Sequence, residues 1–390
     1  VTEPQQTPDA MRKDAGRTAR HRLIASALAL GGADTGFRLL YPRLLEIEKP
    51  ARYIGGEEGA RRTTGEDWER ARFRLALGFP DLYELGMAYG GMQVLYAALN
   101  RAHGESRHLC ERFFLPAPDM LRLLARSNAR LFTLESKRDV ADFDAVGFSL
   151  THEGAYTNML RCLRLAGIPI RQADRAGEHP LVIAGGGAMF NPEPVADFLD
   201  AVAVGDGEEL VFEVAAVLAE LRGAPRERKL IELARIPGIY VPSFYRAEYD
   251  ASGKFVSLAP RDDLGSGFTP PYPIVKRLLR DFAARDPLVR TVLPHLETWG
   301  GGPAVEVMRG CPRHCRFCQA GYTYLPPRPV PPKRAADAVI ALADYTGEEQ
   351  VSLESLSTLD HPGIAALVAH LQPELAARGV RAGLPSSRMD

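Results

Sequence analysis

Three of the chain's five cysteines fall within eight residues, in the stretch CPRHCRFC from Cys311 to Cys318. The spacing is C-x3-C-x2-C, with no fourth cysteine nearby. Zinc in structural sites usually takes four protein ligands. Three thiolates instead suit a [4Fe-4S] cube with one iron left open for a small ligand. His314 lies inside the loop and is read as filler, because the three thiolates already complete the pattern. Cys110 and Cys162 stand alone and are read as small buried apolar residues. Five cysteines in 390 residues do not make a disulfide framework.

The elements around the loop must place it. From Pro303 the sequence reads as strand AVEVMRG, helix KRAADAVIALADYTG, strand EQVSLES, helix GIAALVAHLQPELAARG and strand VRAGLPS. That is three βα steps, with the cysteine loop leaving the first strand. In βα barrels, reactive groups gather at the C-terminal ends of strands. Glu354, Ser355 and Ser357 follow the second strand, and Ser386 and Arg388 follow the third toward the same face. A parallel barrel cannot close with three strands, and the third would leave an open edge. The chain is therefore expected to be a C-terminally truncated part of a longer protein.

Residues 71–223 show a second α/β texture. Strands are expected at Phe73–Pro80, Asp144–Leu150, Leu181–Gly187 and Ala201–Glu209, with a weaker one at Arg130–Ser136. Helices with one apolar face lie between them. Alternation of this kind implies right-handed crossovers and a parallel, doubly wound Rossmann-like sheet. Residues 1–70 are expected to be a disordered lead and helical extension. Residues 224–302 read as a connecting segment, with two short strand-like runs and the Gly/Ser/Pro-rich linker Asp262–Pro273. Residues 303–390 hold the three βα steps.

Composition sets outer limits. Hydrophobic content is 46%, charged content 25% and net charge -1, as in ordinary globular proteins. Nothing in this balance signals nucleic acid. No apolar run reaches the roughly 18 residues a membrane helix needs. The basic lead before LIASALALGG imitates a signal peptide. It is read as a lead before a short helix, because an oxygen-sensitive cluster suits the cytoplasm.

The cysteine loop resembles the radical S-adenosylmethionine (SAM) superfamily, whose signature is C-x3-C-x-aromatic-C. Phe317 supplies the aromatic residue. The resemblance implies a [4Fe-4S] cluster on Cys311, Cys315 and Cys318, with SAM on the open iron through its amino and carboxylate groups. It implies reductive cleavage to a 5′-deoxyadenosyl radical, chemistry that side chains alone do not supply. A reductant such as flavodoxin or ferredoxin is the implied partner. Gly321 would allow close backbone approach. The superfamily holds the SAM amine with a Gly-Gly-Glu-like stretch after the second strand. Here SLESLST stands there without the glycines. Glu354, Ser355 and Ser357 either bind the amine or cap the strand end, and both readings stand.

The N-terminal half resembles the cobalamin-binding domains fused to radical enzymes. Those carry Asp-x-His-x-x-Gly after the first strand, with the histidine below cobalt. This chain has Asp81 and Gly86 at that spacing, with Tyr83 in the histidine's place. Ser149 stands where such domains have Ser-x-Leu or Ser-x-Thr, and Gly185, Gly186 and Gly187 stand where those domains pass the nucleotide tail. A phenol with pKa about 10 is a poor cobalt ligand at neutral pH, so Tyr83 is expected away from the metal. Either the domain binds cobalamin or it is a relic fold used for substrate or partner contact.

The order of parts is similar to a family of fused, largely uncharacterised radical proteins. The stretches that carry this are EKPARYIGGE, FPDLYELGM, DFDAVGFSLTHEGAYTNML, NPEPVADFLDAVAVGDGEE and IPGIYVPSFY, besides the cysteine loop. Two alternatives differ in chemistry. A methylthiotransferase-like modifier would add three cysteines in its N-terminal domain, where this chain has only Cys110 and Cys162, far apart. A non-catalytic iron-sulfur scaffold or regulator would use the truncated barrel as its support. The substrate is not legible.

Overall fold

The computed structural model describes residues 37–101, 107–264, 267–285, 287–300, 302–384 and 387. The basic lead, the LIASALALGG run, Ser386 and Arg388 lie outside the described residues.

The N-terminal half is built on one six-stranded sheet. Its strands are β1 (Phe73–Phe79), β2 (His108–Phe114), β3 (Ala145–Ser149), β4 (Leu181–Gly185), β5 (Ala201–Ala203) and β6 (Ile239–Tyr240). Their order is β2-β1-β3-β4-β5-β6. The first five are parallel, and β6 pairs antiparallel with β5. Continuous apolar runs such as FRLALGF and AVGFS are buried, as a sheet covered by helices requires. The order 2-1-3-4-5 is doubly wound, with its switch point between β1 and β3. Ligands of such sheets bind outside the carboxyl ends of the strands at that point.

Two expectations need correcting. RLFTLES is not a strand; Phe132 makes only an isolated bridge to Asp139. The missing edge strand is HLCERFF, β2. Its Glu111 and Arg112 disguise it, because both are fully buried with partners. Arg112 pairs with Glu57 and Glu135, each at 2.7 Å. The Glu111 carboxylate accepts from the hydroxyls of Thr133 and Ser136, each at 2.6 Å. So RLFTLES folds over the side chains of β2 instead of pairing as a strand. The N-terminal sheet also continues past residue 223, through helix Arg226–Ala234 to β6.

Residues 37–70 pack rather than trail. Phe37, Leu40, Leu44 and Ile54 share a core with Leu123 and Phe132. Two of the quoted stretches lock together. Arg52 grips Glu84 with hydrogen bonds of 2.9 and 2.8 Å, and Glu57 accepts from the Tyr83 hydroxyl at 3.0 Å.

After β6 comes a hairpin of β7 (Tyr245–Tyr249) and β8 (Phe255–Pro260). Among its described residues, 262–273 carries no helix or strand, as a linker should. The expected strand AVEVMRG divides into β9 (Ala304–Glu306) and β10 (Met308–Arg309), and β10 pairs antiparallel with β11 (Arg328–Pro329). Then follow β12 (Gln350–Glu354) and β13 (Arg381–Gly383), parallel to β9 in the order β13-β12-β9. Helices Pro332–Thr346 and Ile364–Arg378 cover this small sheet. Val305, Leu342, Leu353 and Leu367 form its core.

Candidate functional site

A cavity of about 1320 Å³ lies between the two sheets. This exceeds the roughly 300–1,000 Å³ of pockets for drug-sized ligands. One wall is formed where the N-terminal strands end, by Ser149, Gly185, Gly186, Gly205 and Gly207, with Tyr89 beside them. The opposite wall carries Glu306, Met308, Arg309, Gly310, Glu354 and Ser355. An apolar arm runs along the first sheet past Leu75, Leu77, Leu95 and Val214.

The walls are joined by charge. Asp206, just beyond β5, accepts from Arg309 Nη1 at 2.9 Å, from the Leu279 amide at 2.7 Å and from Arg328. Burial alone would raise the Asp206 pKa. The Arg328 hydrogen bond and the Arg309 charge outweigh it and hold the carboxyl below the usual range. Arg309 also binds Glu208 at 2.7 Å and Glu306 at 2.8 Å. Burial disfavours its cation, but Glu306 and Glu208 more than compensate, so Arg309 stays charged. Gly205 is required beside this hub. Its φ is +111°, and a Cβ there would meet the Arg277 carbonyl oxygen at 2.1 Å. Sequence reading quoted Asp206 within VGDGEE but gave it no role. The signal was the arginine two positions before Cys311.

The cysteine loop leaves this wall at Gly310, whose φ is +86° and whose Cβ would strike the Tyr324 carbonyl oxygen at 2.6 Å. Cys311, Cys315 and Cys318 are half-buried and form no disulfide. The Cys318 amide donates to the Cys315 carbonyl at 3.0 Å, which curls the loop. Among the described residues no three His, Cys, Asp or Glu side chains converge as one metal ion demands. A cube spreads its thiolates over separate irons, so the donor set, three thiols outside any disulfide on one accessible loop, fits a cluster. Gly321 backs Cys318, with room for its sulfur at 3.9 Å from an added Cβ. Phe317 is 92% exposed and points away from the cavity lining. His314 has φ +49°, and its carbonyl accepts from the Tyr322 hydroxyl at 2.9 Å.

Glu354 lines the cavity and is exposed within it, with protein atoms crowding its carboxyl. That crowding, then the Glu306 charge, pushes its carboxyl up, against Arg285 and Arg309. Ser355 lines the cavity, but its hydroxyl lies 3.1 Å from that of Thr358. Ser357 is buried and donates to Asp360 at 2.7 Å. Of the three, only Glu354 presents an uncommitted polar group to the cavity.

The N-terminal candidates separate in the same way. Ser149, Gly185 and Gly186 line the cavity. Gly187 lies behind, where a Cβ would sit 2.9 Å from the Tyr324 hydroxyl. Asp81 caps the Leu82 amide at 2.7 Å, and Gly86 lets the Phe114 ring approach. Tyr83 is buried, donates to Glu57 and accepts from the His295 amide at 3.0 Å. Burial and the Glu57 charge push its phenol pKa up. Asp81, Tyr83 and Gly86 therefore serve packing and turn geometry.

A doubly wound sheet faces a second set of strand ends across the cavity, and the loop that bears three cysteines leaves the cavity wall at Gly310. Residues 91–242 match the family model described as "Radical SAM proteins, N-terminal". The match spans less than half of the chain and marks a likeness to that family. The chain is 25% identical over 202 residues to the uncharacterized protein MJ0966 of Methanocaldococcus jannaschii, a match covering 52% of this chain and 35% of that one. The chain thus spans about a third of the length of this curated relative. Among solved structures it is similar to the radical SAM methyltransferase TsrM from Kitasatospora setae with cobalamin and a [4Fe-4S] cluster bound. That likeness has 16% identity and a TM-score of 0.44, covering 79% of this chain and 52% of TsrM. The same enzyme with tryptophan substrate and a SAM analogue gives 15% identity and 0.44, covering 78% and 50%. Among the described residues no helix is long and apolar enough to cross a membrane.

Proposed function

We propose that the chain carries a [4Fe-4S] cluster on Cys311, Cys315 and Cys318 and binds SAM beside it. Such a cluster, when reduced, supplies the electron that cleaves SAM to a 5′-deoxyadenosyl radical. The observation that carries the reading is the shared cavity. The cysteine loop leaves its wall at Gly310, and Glu354 faces the same space. Glu354 would receive the SAM ammonium. Enclosure makes an unpaired carboxylate costly there, so a cationic partner is favoured. Ser355 and Ser357 hold the turn that carries it.

Cobalamin fits the opposite side. Ser149, Gly185 and Gly186 offer a wall with little side-chain bulk at the strand ends, and the apolar arm adds depth. Tyr83, tied to Glu57 and His295 and set behind the cavity wall, would not reach the metal. The reaction would then be radical chemistry with cobalamin beside SAM, on a substrate entering the same cavity. A small reductant such as flavodoxin or ferredoxin would supply electrons.

The test is anaerobic reconstitution with iron and sulfide, followed by absorbance with and without cobalamin and SAM. A visible charge-transfer band with about four irons per chain supports the cluster. A spectrum unaltered by micromolar cobalamin removes the cobalamin half of the reading.

A further inference from the structure

We propose that Arg313 and Asp360 form a positioning pair that holds the three thiols at a set distance from Glu354. Arg313 lies between the first two cysteines, on a loop whose residues 312–314 and 316–317 are exposed. Its Nε donates to Asp360 Oδ2 at 2.7 Å, and its Nη2 donates to Oδ1. The second half of the link is the turn after β12. Ser357 donates to the same Asp360 oxygen at 2.7 Å, and the Asp360 amide donates to the Ser357 carbonyl at 3.1 Å. The Ser357 amide donates to Ser355 Oγ at 3.2 Å, and the Thr358 hydroxyl returns to the Leu353 carbonyl at 3.2 Å. Leu353 adjoins Glu354, so a hydrogen-bonded path joins the cysteine loop to the cavity carboxylate.

The Asp360 side chain is 12% exposed and that of Arg313 40%. An ordinary surface ion pair contributes little. A two-pronged guanidinium–carboxylate contact is different, because it fixes direction as well as distance. The Cys318 amide bond and the Tyr322 contact to His314 also tie the loop internally. Neither reaches β12. Ser357 thus acts through Asp360.

The inference rests on the cofactor reading above. It is tested with Arg313→Gln, Asp360→Asn and the double variant, each reconstituted anaerobically. Iron and sulfide are assayed, and SAM is titrated against the paramagnetic resonance of the reduced cluster. The expected result is parent-like iron, with the SAM midpoint raised on the order of tenfold in each single variant. The double variant should show no further loss, as for two residues acting as one unit. Variants that stay folded by circular dichroism but lose iron also support the pair, with its effect on the thiols themselves. Parent-like midpoints in both singles, or losses that add in the double, overturn it. A parent chain that takes up no cluster overturns the cofactor reading and this inference together.

Discussion

Asp206 accepts a 2.9 Å hydrogen bond from Arg309, two residues before the first cysteine of the loop. One residue beyond the end of the N-terminal strands is thereby tied to the root of the thiol loop. Asp206→Asn keeps the shape and removes the charge. Arg309 would retain Glu208 and Glu306, but Arg328 would lose its carboxylate, so the loss should be about 3–5 kcal/mol, as for a stranded buried charge. The Asp206 pKa is lower folded than unfolded. Its contribution is full above the unfolded value of about 4 and is lost as pH falls through the folded value. Urea melts of parent and variant should differ at pH 7 and converge in acid; a constant gap would refute this.

Glu354 has the opposite sign. Its folded pKa is raised, so ionisation burdens the folded state above that value and not below the unfolded value of about 4. Glu354→Gln should therefore be more stable than the parent at pH 7 and equal to it in acid. It should also bind SAM more weakly. A less stable variant with unchanged SAM titration would place Glu354 outside the site.

Tyr83→Phe separates packing from ligand binding. The change leaves Glu57 without one donor, at a cost of about 1–3 kcal/mol. Cobalamin titration should not move. The Co(II) form should show no splitting from an axial nitrogen; clear imidazole splitting would contradict the geometry of this site.

Cys315→Ala should abolish assembly of the cluster. Retention of about four irons and the full visible band would sink the ligand assignment.

Much of this was written in the sequence. The Cys311–Cys318 spacing identified the loop, and apolar runs such as Phe73–Phe79 found their strands, because burial on both faces leaves few polar residues. β2 was hidden, since Glu111 and Arg112 interrupt its apolar pattern and find partners only through the tertiary fold. Tyr83 stood at a ligand's spacing, yet spacing does not say which way a side chain turns; Glu57, 26 residues away, decides that. The roles of Asp206 and Asp360 depend on arginines 103 and 47 residues distant. No local pattern encodes such pairs.

β2 is the outer strand of its sheet, and its free side is occupied. Asn100 accepts from the Cys110 amide at 3.2 Å and donates to its carbonyl at 2.9 Å. Glu135 takes the Arg112 amide at 2.7 Å, and the Leu134 amide takes the Arg112 carbonyl at 2.7 Å. Arg61 covers the His108 carbonyl at 3.3 Å. From His108 to Arg112, every second residue on that margin thus has a partner. The buried charges around Arg112 double as a guard, denying a neighbouring chain the row of open amides and carbonyls on which strand-to-strand aggregation begins.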